Sequence, residues 1–336
     1  MQILPKQIKQ DREKLIQWYQ KNKRTLPWRA SRDPYKIWIS EVMLQQTTVT
    51  AVLPFYEKFM NRFPSVKSLA KASLEDVYEY WAGLGYYSRA RNLHKAAQLF
   101  AEKGFPQKAD ELIEFPGLGP YTSRAVSSLA FNEKVGVLDG NVIRILCRKY
   151  GLKLKWWEPS EKNKLQIIAD ELAQTEFNAD LNQGMMELGA TVCTPKKVMC
   201  LLCPWNKDCV SYKENLVESI PLKKPKDKFQ IWKWDFEVII NQDLFYLEPN
   251  QVTPFLKENL LPLSKAKLLN QKPKDFHFKH GVTKYDIYVS VQTKKAQKSK
   301  KDPGLWAKKK ELVRLNPTSL MKKIVAHIEK SDKLKK

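Results

Sequence analysis

Between two segments of helical periodicity the chain reads Phe115-Pro116-Gly117-Leu118-Gly119-Pro120-Tyr121-Thr122. Glycine adopts positive φ at little steric cost, so Gly117 and Gly119 predict a tight hairpin whose backbone N–H groups can approach a ligand closely. With the N-terminus of the helix that follows, these groups form a site suited to a phosphate anion. A plain tight turn is the alternative, since two glycines alone are a weak signal.

The sequence around this hairpin is mostly helical over residues 7–215. Apolar residues recur at three- and four-residue spacing in the segments 50–60, 74–85, 92–101, 121–131, 140–150 and 164–175. Ser73 stands before one of these segments as a visible N-cap. We therefore expect a mainly α region over residues 1–215.

The pattern changes beyond this region. Residues 216–228 are rich in Lys and Pro and are interpreted as a linker. Apolar and polar residues then alternate in 230–239 and 285–291, which is typical of strands. The sequence thus predicts a small α+β domain over 229–336, interrupted by an exposed lysine-rich loop at 294–310.

The charge of the chain indicates a polyanionic partner. Its 336 residues carry a net charge of +23, of which +15 lies in residues 221–336. Nucleic acid is the first candidate and an acidic membrane surface the second, although many of these lysines also suit a solvated surface. There is no apolar run of about 18 residues and no secretory signal at the start, so we expect no membrane span and a cytoplasmic location, with nucleoid association if the source is bacterial.

Four cysteines lie close together with the spacing C-x6-C-x2-C-x5-C, at Cys193, Cys200, Cys203 and Cys209. In the expected compartment such a group favours metal ligation over disulfides. Four thiolates can hold either an iron–sulfur cluster or one tetrahedral zinc ion, and the spacing alone leaves both open. Cys147 lies on an apolar helical segment and is predicted to be a core residue.

Two carboxylates are candidate catalytic groups. On a helix, Glu41 has Ile37, Trp38 and Leu44 one turn away, and this company raises the pKa of a carboxyl group and suits it to act as a general acid. Asp139 precedes Gly140 and can supply a fixed negative charge. An acid on the leaving base and an anion at the sugar are what cleavage of an N-glycosidic bond requires. The alternatives are a surface glutamate and a simple helix cap.

Four motifs carry a family resemblance over about residues 20–210. They are Leu26-Pro27-Trp28-Arg29, Ser40-Glu41-Val42-Met43-Leu44-Gln45-Gln46-Thr47, Gly83-Leu84-Gly85-Tyr86-Tyr87-Ser88-Arg89 and Leu138-Asp139-Gly140-Asn141-Val142. Together with the hairpin and the cysteine spacing, they resemble the MutY-type adenine DNA glycosylases of the endonuclease III superfamily. The hairpin, with its flanking helical segments, then looks like a helix-hairpin-helix motif that grips the DNA backbone.

The resemblance implies an architecture and a cofactor. It implies a helix-hairpin-helix glycosylase with a six-helix lobe over about 25–133 and an iron–sulfur lobe over about 1–24 plus 134–215. The four cysteines would hold a [4Fe–4S] cluster, with Lys196, Lys197 and Lys207 facing a DNA phosphate. The domain at 229–336 would be the Nudix-like domain that recognises the mispair.

The resemblance also implies roles for single residues. Glu41 would protonate adenine N7, Asp139 would stabilise or trap the oxocarbenium ion, and Asn141 and Tyr121 would orient sugar and water. The substrate and DNA contacts would be Arg24, Leu26, Trp28, Arg29, Gln46, Thr47, Leu84, Tyr86, Gly117, Gly119, Gln183 and Lys279. Lys279 replaces the serine of a Phe-Ser-His loop, at Phe278-Lys279-His280. His277 and His280 invite a metal interpretation, but no third ligand is near in sequence.

The resemblance implies a monofunctional enzyme that excises adenine from double-stranded DNA containing A:8-oxoguanine or A:G mispairs. It would act as a monomer in base excision repair and leave the abasic product to downstream enzymes. Tyr121 stands where endonuclease III has its Schiff-base lysine, which argues against the first alternative, a glycosylase/lyase for oxidised pyrimidines. The second alternative is a non-enzymatic iron–sulfur protein that binds DNA, and the presence of both Glu41 and Asp139 argues against it.

Overall fold

The computed structural model describes residues 4–225, 229–257, 259–296 and 303–334. These residues divide into two compact units. The first comprises the described part of residues 1–72 and 88–225, and the second comprises 73–87 with the described part of 226–336. The two helical lobes expected within residues 1–215 are not separated by this division and stay a prediction.

Fourteen α-helices are formed by the described residues, and twelve of them precede the strands. The twelve are α1 (Pro5–Asn22), α2 (Pro34–Leu44), α3 (Val49–Arg62), α4 (Val66–Lys71), α5 (Leu74–Trp81), α6 (Tyr87–Lys103), α7 (Ala109–Leu112), α8 (Pro120–Phe131), α9 (Gly140–Tyr150), α10 (Pro159–Leu172), α11 (Asn178–Thr191) and α12 (Val210–Lys213). Every periodic segment of the sequence therefore forms a helix, although α5 ends at Trp81 and not near residue 85. Ser73 caps α5 as predicted, since its side chain accepts a hydrogen bond from the Asp76 N–H.

Helix α11 is central to the first unit, because it packs against α1, α8 and α9. The core there includes Leu15, Leu146, Leu181 and Met185, all fully buried. Cys147 belongs to the same core, as predicted, and burial raises the pKa of its thiol to about 12. Within the described residues no helix has the length and apolar character that crossing a membrane requires.

The second unit contains the strands β1 (Gln230–Asn241), β2 (Leu244–Pro249), β3 (Leu260–Leu261), β4 (Leu263–Leu269), β5 (Phe278–Val282), β6 (Tyr285–Lys295) and β7 (Leu305–Lys308), followed by α13 (Lys309–Leu315) and α14 (Ser319–Leu334). The sheet order is β3-β2-β1-β6-β5, with β4 paired to β1 and β7 paired to β2. Strands β1 and β6 run parallel and confirm the two strands read from alternation. Alternate residues of β1, including Trp234 and Phe236, form the core with Ile324 of α14.

Two expectations about connecting segments need correction. The start of the expected linker 216–228 packs on the helical unit: Ile220 is buried, its carbonyl accepts from Arg148 Nε at 2.8 Å, and the Leu222 carbonyl accepts from Trp156 Nε1 at 2.8 Å. Residues 226–228 lie outside the described part. The expected loop at 294–310 contains β7, whose Ala307 is buried, while 297–302 lie outside the described residues.

Candidate active site

A cavity of about 1460 Å³ in the helical unit brings most of the predicted site residues together. Its walls come from α2, the hairpin before α8, the start of α9, α11 and the segment around the 3₁₀ turn Pro27–Arg29. The predicted residues that line it are Arg24, Leu26, Trp28, Arg29, Glu41, Gln46, Thr47, Gly117, Gly119, Tyr121, Asp139, Asn141 and Gln183. Residues spread over 160 positions of sequence therefore share one cavity.

Glu41 lies in the last turns of α2 and is only 5% exposed. Tyr121 of α8 donates a hydrogen bond from its hydroxyl to Glu41 Oε2 at 2.6 Å. Burial raises the pKa of Glu41 to about 7, and the charge of Asp139 acts in the same direction. The Tyr121 hydrogen bond and the charge of Arg29 oppose this rise. The desolvation expected from the neighbours of Glu41 on the helix is thus present in the fold.

Asp139 caps α9 and also lines the cavity, so the helix-cap interpretation does not exclude the catalytic one. Its Oδ1 accepts from the Val142 N–H at 2.7 Å and its Oδ2 accepts from Asn141 Nδ2 at 3.0 Å. Burial raises the pKa of the Asp139 carboxyl, whereas these hydrogen bonds and the charge of Arg144 lower it. The capping position directs the carboxylate toward the start of α9, where helix N–H groups favour its anionic form.

Arg144, which the sequence did not single out, links the active-site wall to the cysteine segment. Its Nη2 donates to Asn141 Oδ1 at 2.8 Å and to the Gly189 carbonyl at 2.7 Å. Its Nε donates to the carbonyl of Cys193 at 2.8 Å. Asn141 is thereby held between Arg144 and Asp139, which fixes its side chain in the cavity.

Glu187 of α11 is a second residue that the sequence did not reveal. Its carboxylate is buried and accepts from Arg24 Nε at 2.6 Å and from Arg29 Nη2 at 2.9 Å. Arg24 and Arg29 hold the pKa of Glu187 below its usual value against the effect of burial. On the same helix Gln183 accepts from the Tyr19 hydroxyl at 2.8 Å. The sequence signals the burial of Glu187 only by placing this glutamate within the otherwise apolar segment Gly184–Gly189.

The hairpin adopts the positive φ that the Gly-x-Gly pattern allows, and it does so at the first glycine. Gly117 has φ +81°, and an added Cβ would lie 2.8 Å from Asn92 Cβ, so glycine is required there. Gly119 has φ −79° and is the N-cap of α8. An added Cβ at Gly119 would meet nothing within 4 Å. Both glycines line the cavity, where backbone N–H groups and the start of α8 are accessible.

Of the four residues expected to hold the opposing strand, two line the cavity and two do not. Gln46, with φ +58°, and Thr47 follow the end of α2 and line the cavity. Leu84 and Tyr86 belong to the second unit and are not among the residues that line the cavity. Leu84 is buried, whereas Tyr86 is 48% exposed with φ +49°. Their roles stay predictions.

The four cysteines line one small cavity together with Arg148, Val192, Val198, Asn206, Tyr212 and Val217. No disulfide joins them, and no three His, Cys, Asp or Glu side chains of the described chain converge as ligands of a single ion. Arg148 Nη1 donates to Cys193 Sγ at 3.4 Å. Burial raises the pKa of Cys203 to about 12, so its thiolate form requires a compensating positive charge. An all-thiol donor set in a largely apolar pocket fits an iron–sulfur cluster.

The segment Phe278-Lys279-His280 was expected in a loop and instead forms strand β5, whereas the DNA contact of Lys279 stays a prediction. Phe278 and His280 point to the packed side of the sheet, and burial lowers the pKa of His280 to about 4. Lys279 points outward and binds Asp286 Oδ2 at 2.8 Å. The ring of His277 accepts from the Val291 N–H and stacks on His327 at 4.3 Å.

Comparisons with known proteins show which family this chain resembles. Residues 39–172 match the family described as HhH-GPD superfamily base excision DNA repair protein. The adenine DNA glycosylase of Buchnera aphidicola subsp. Acyrthosiphon pisum is 39% identical over 249 residues, which are 73% of this chain and 71% of that protein. The human adenine DNA glycosylase is 42% identical over 210 residues, 59% of this chain and 38% of the relative. The structure of a thermostable thymine-DNA glycosylase aligns with a TM-score of 0.56 and 28% identity, covering 62% of this chain and 98% of that chain.

Proposed function

The chain belongs to the adenine DNA glycosylase family, and we propose that it excises adenine mispaired with 8-oxoguanine or guanine in double-stranded DNA. The reaction is hydrolysis of an N-glycosidic bond in base excision repair. The observation that carries the proposal is a buried Glu41, with its pKa raised to about 7, in one cavity with Asp139. Adenine would reach this cavity only after leaving the base stack, at a cost of a few kcal/mol that pocket contacts offset.

Glu41 would be the general acid. With a pKa of about 7, roughly half of its carboxyl groups carry a proton at neutral pH. The proton would go to N7 of the flipped adenine, which makes the base a better leaving group. Tyr121, whose hydroxyl donates to Oε2, leaves Oε1 of Glu41 available to face the base. The adenine itself would lie among Arg24, Trp28, Arg29 and Gln183, which line the same cavity.

Asp139 would supply the negative charge at the sugar. Its carboxylate is fixed by the Val142 N–H and by Asn141 Nδ2, so it cannot turn away as positive charge develops on the sugar. A preorganised anion stabilises an oxocarbenium-like transition state without reorganisation, which is the logic of paired carboxylates in glycoside hydrolysis. Asn141, held by Arg144, would orient sugar and water.

The cysteines would hold a [4Fe–4S] cluster with a structural role. Such a cluster offers one iron to each thiolate, so Cys193, Cys200, Cys203 and Cys209 need not converge on one point. The bound cluster would supply the positive charge that thiolate formation requires in this buried pocket. The loop it holds would present Lys196, Lys197 and Lys207 to a DNA phosphate, while Gly117 and Gly119 bind the backbone through their N–H groups.

The proposal is tested with one duplex that carries A opposite 8-oxoguanine, incubated with the protein and treated with or without alkali. We expect strand breaks only after alkali, because Tyr121 has no amine with which to form an imine. Breaks without alkali, together with an adduct trapped by borohydride, would support the glycosylase/lyase alternative. Intact duplex under both treatments would support the non-enzymatic one.

Two variants test the residue roles in the same duplex. Glu41→Gln and Asp139→Asn should each lower the single-turnover rate of adenine release by about a thousandfold. Both should bind the duplex as the unsubstituted protein does, because neither change removes a backbone contact. A variant that retains turnover excludes its residue from the mechanism.

A further inference from the structure

The C-terminus of α2, three residues after Glu41, is capped without a glycine. The helix stops at Leu44, Gln45 is its C-cap with φ −56° and ψ 116°, and Gln46 follows with φ +58°. The last carbonyls of a helix lack partners within the helix and need donors from elsewhere. A glycine often provides the turn that satisfies them, but this sequence has glutamines there.

Arg89, in the first turn of α6, supplies the donors. Its Nη1 lies 2.8 Å from the Val42 carbonyl, 3.3 Å from that of Met43 and 2.6 Å from that of Gln45. A guanidinium ion stays charged at any physiological pH and complements the negative end of a helix dipole. One side chain from a distant helix therefore fixes three of the four residues that follow Glu41 on the chain.

A second connection runs from the same helix end to the residue beside Tyr121. Gln45 Nε2 donates to Thr122 Oγ1 at 3.1 Å. Gln45 lies one helical turn beyond Glu41, and Thr122 is the neighbour of the tyrosine that donates to Glu41. The backbone of Gln45 is held by Arg89 and its side chain by Thr122, so Arg89 acts on both partners of the Glu41–Tyr121 hydrogen bond.

We propose that Arg89 is a positioning residue for adenine excision, which sets the place of Glu41 against Tyr121 through the C-terminal carbonyls of α2. It is not among the residues that line the cavity of Glu41 and Asp139, and its proposed action on the reaction runs through this helix end. The Gln46–Thr47 turn, which lines the cavity, is fixed by the same contacts. A misplacement of about 1 Å at a reacting group costs about a hundredfold in rate, so a small loosening of this end has a large effect.

The test compares Arg89→Ala with Arg91→Ala under single-turnover conditions with saturating protein. Arg91 lies two residues further along α6 and forms no hydrogen bond within the described residues, so it controls for the loss of one positive charge. We expect Arg89→Ala to lower the excision rate by about 10- to 100-fold with duplex Kd within about threefold of the unsubstituted value. Arg91→Ala should keep the unsubstituted rate.

The pH profile separates positioning from simple loss of structure. The Tyr121 hydrogen bond lowers the pKa of Glu41, so weakening it should move the midpoint of the alkaline fall in rate upward in Arg89→Ala. Arg89→Lys keeps the charge and should recover most of the rate and the midpoint. If Arg89→Ala does not fold, Gln45→Ala provides the test, because it removes only the side-chain contact with Thr122. It should show a smaller loss of excision rate and an upward shift of the pH midpoint.

A rate for Arg89→Ala equal to that of the unsubstituted protein overturns the inference. Equal losses in Arg89→Ala and Arg91→Ala also overturn it, as does a lower rate with an unmoved pH midpoint. The inference rests on the proposed excision of adenine, and the two fail differently. Absence of excision by the unsubstituted protein ends the proposed function, whereas excision that ignores Arg89 removes only this residue.

Discussion

Two buried carboxylates of the helical unit have opposite surroundings. Asp11 is fully buried, with Lys149 Nζ 2.8 Å from its Oδ1, and it accepts from the Tyr150 hydroxyl at 3.0 Å. Glu41 is also buried, but among the described residues its carboxylate accepts a hydrogen bond from Tyr121 alone and has no bound cation. A buried carboxylate with a bound cation therefore links helices, whereas a buried carboxylate without one has a raised pKa and can act as an acid.

The position of the compensated pair fits a structural role. The Asp11 carbonyl accepts from Trp205 Nε1 at 2.9 Å, and Lys149 Nζ donates to the carbonyl of Asp208 at 3.4 Å. Trp205 and Asp208 lie between Cys203 and Cys209, so the pair ties α1 and α9 to the cysteine segment. Glu41, by contrast, opens on the cavity.

Removal of the cation from the compensated pair should have the largest effect on stability. Lys149→Met leaves Asp11 buried without its counter-charge, and we expect a loss of about 3–5 kcal/mol in the free energy of unfolding. Chemical denaturation measures this loss. The double variant Asp11→Leu with Lys149→Met should recover most of it, since a neutral pair needs no compensation. A single variant as stable as the unsubstituted protein would break the comparison.

Substitution of Glu41, the uncompensated carboxylate, should raise the free energy of unfolding relative to the unsubstituted protein as pH rises, whereas Lys149→Met lowers it. Burial raises the folded-state pKa of Glu41 from 4.5 to about 7. A raised carboxyl pKa contributes stability that is fully present below 4.5 and is lost as pH rises through about 7. Glu41→Gln lacks this loss, so its stability relative to the unsubstituted protein should increase by roughly 2–3 kcal/mol between pH 5 and pH 8. Denaturation curves at both pH values check this, and a pH-independent difference would contradict it.

The two carboxylates also show how far sequence reasoning reaches. The apolar neighbours of Glu41 at helical spacing were sufficient to predict its burial, because they lie on the same helix. Tyr121, 80 residues away, was identified through the hairpin, but its hydrogen bond to Glu41 depends on how α2 and α8 pack. Asp11 and Glu187 were missed because a buried charge depends on partners from other helices, which no local pattern contains.

The same limit applies to three further details. Gly117 makes the turn, whereas Gly119 begins a helix with negative φ, and a Gly-x-Gly pattern does not state which of its glycines makes the turn. Phe278-Lys279-His280 was aligned to a loop. In the structure it forms a strand, along which half-buried, exposed and buried residues alternate. Ile220 was assigned to a linker by the prolines and lysines around it, although it packs in the helical core.

Removal of the Tyr121 donor to Glu41 should shift the pH dependence of excision. Tyr121→Phe deletes the hydrogen bond that lowers the pKa of Glu41, so this pKa should rise. The excision rate falls as pH increases through that pKa, and its midpoint should therefore move upward by about one unit. Single-turnover rates between pH 5.5 and pH 9 give the midpoint. Tyr19→Phe, which loses a hydroxyl bound to Gln183, is the control, and an unmoved midpoint in Tyr121→Phe would contradict the assignment.

Lys279 and Asp286 form a third kind of pair, which is close but exposed. Its removal should have the smallest effect on protein stability. Water screens such a pair, so Lys279→Ser should leave the stability almost unchanged.

We expect Lys279, on the outer face of β5, to contact a DNA phosphate. Its loss should lower the salt dependence of duplex binding by about one unit of slope and leave the preference for A:8-oxoguanine over A:G unchanged. Lys294→Ser, which removes another exposed lysine paired with an acidic residue, Glu237, is the control. A changed preference in Lys279→Ser alone would instead assign this lysine to the damaged base, because only a base contact distinguishes the two mispairs.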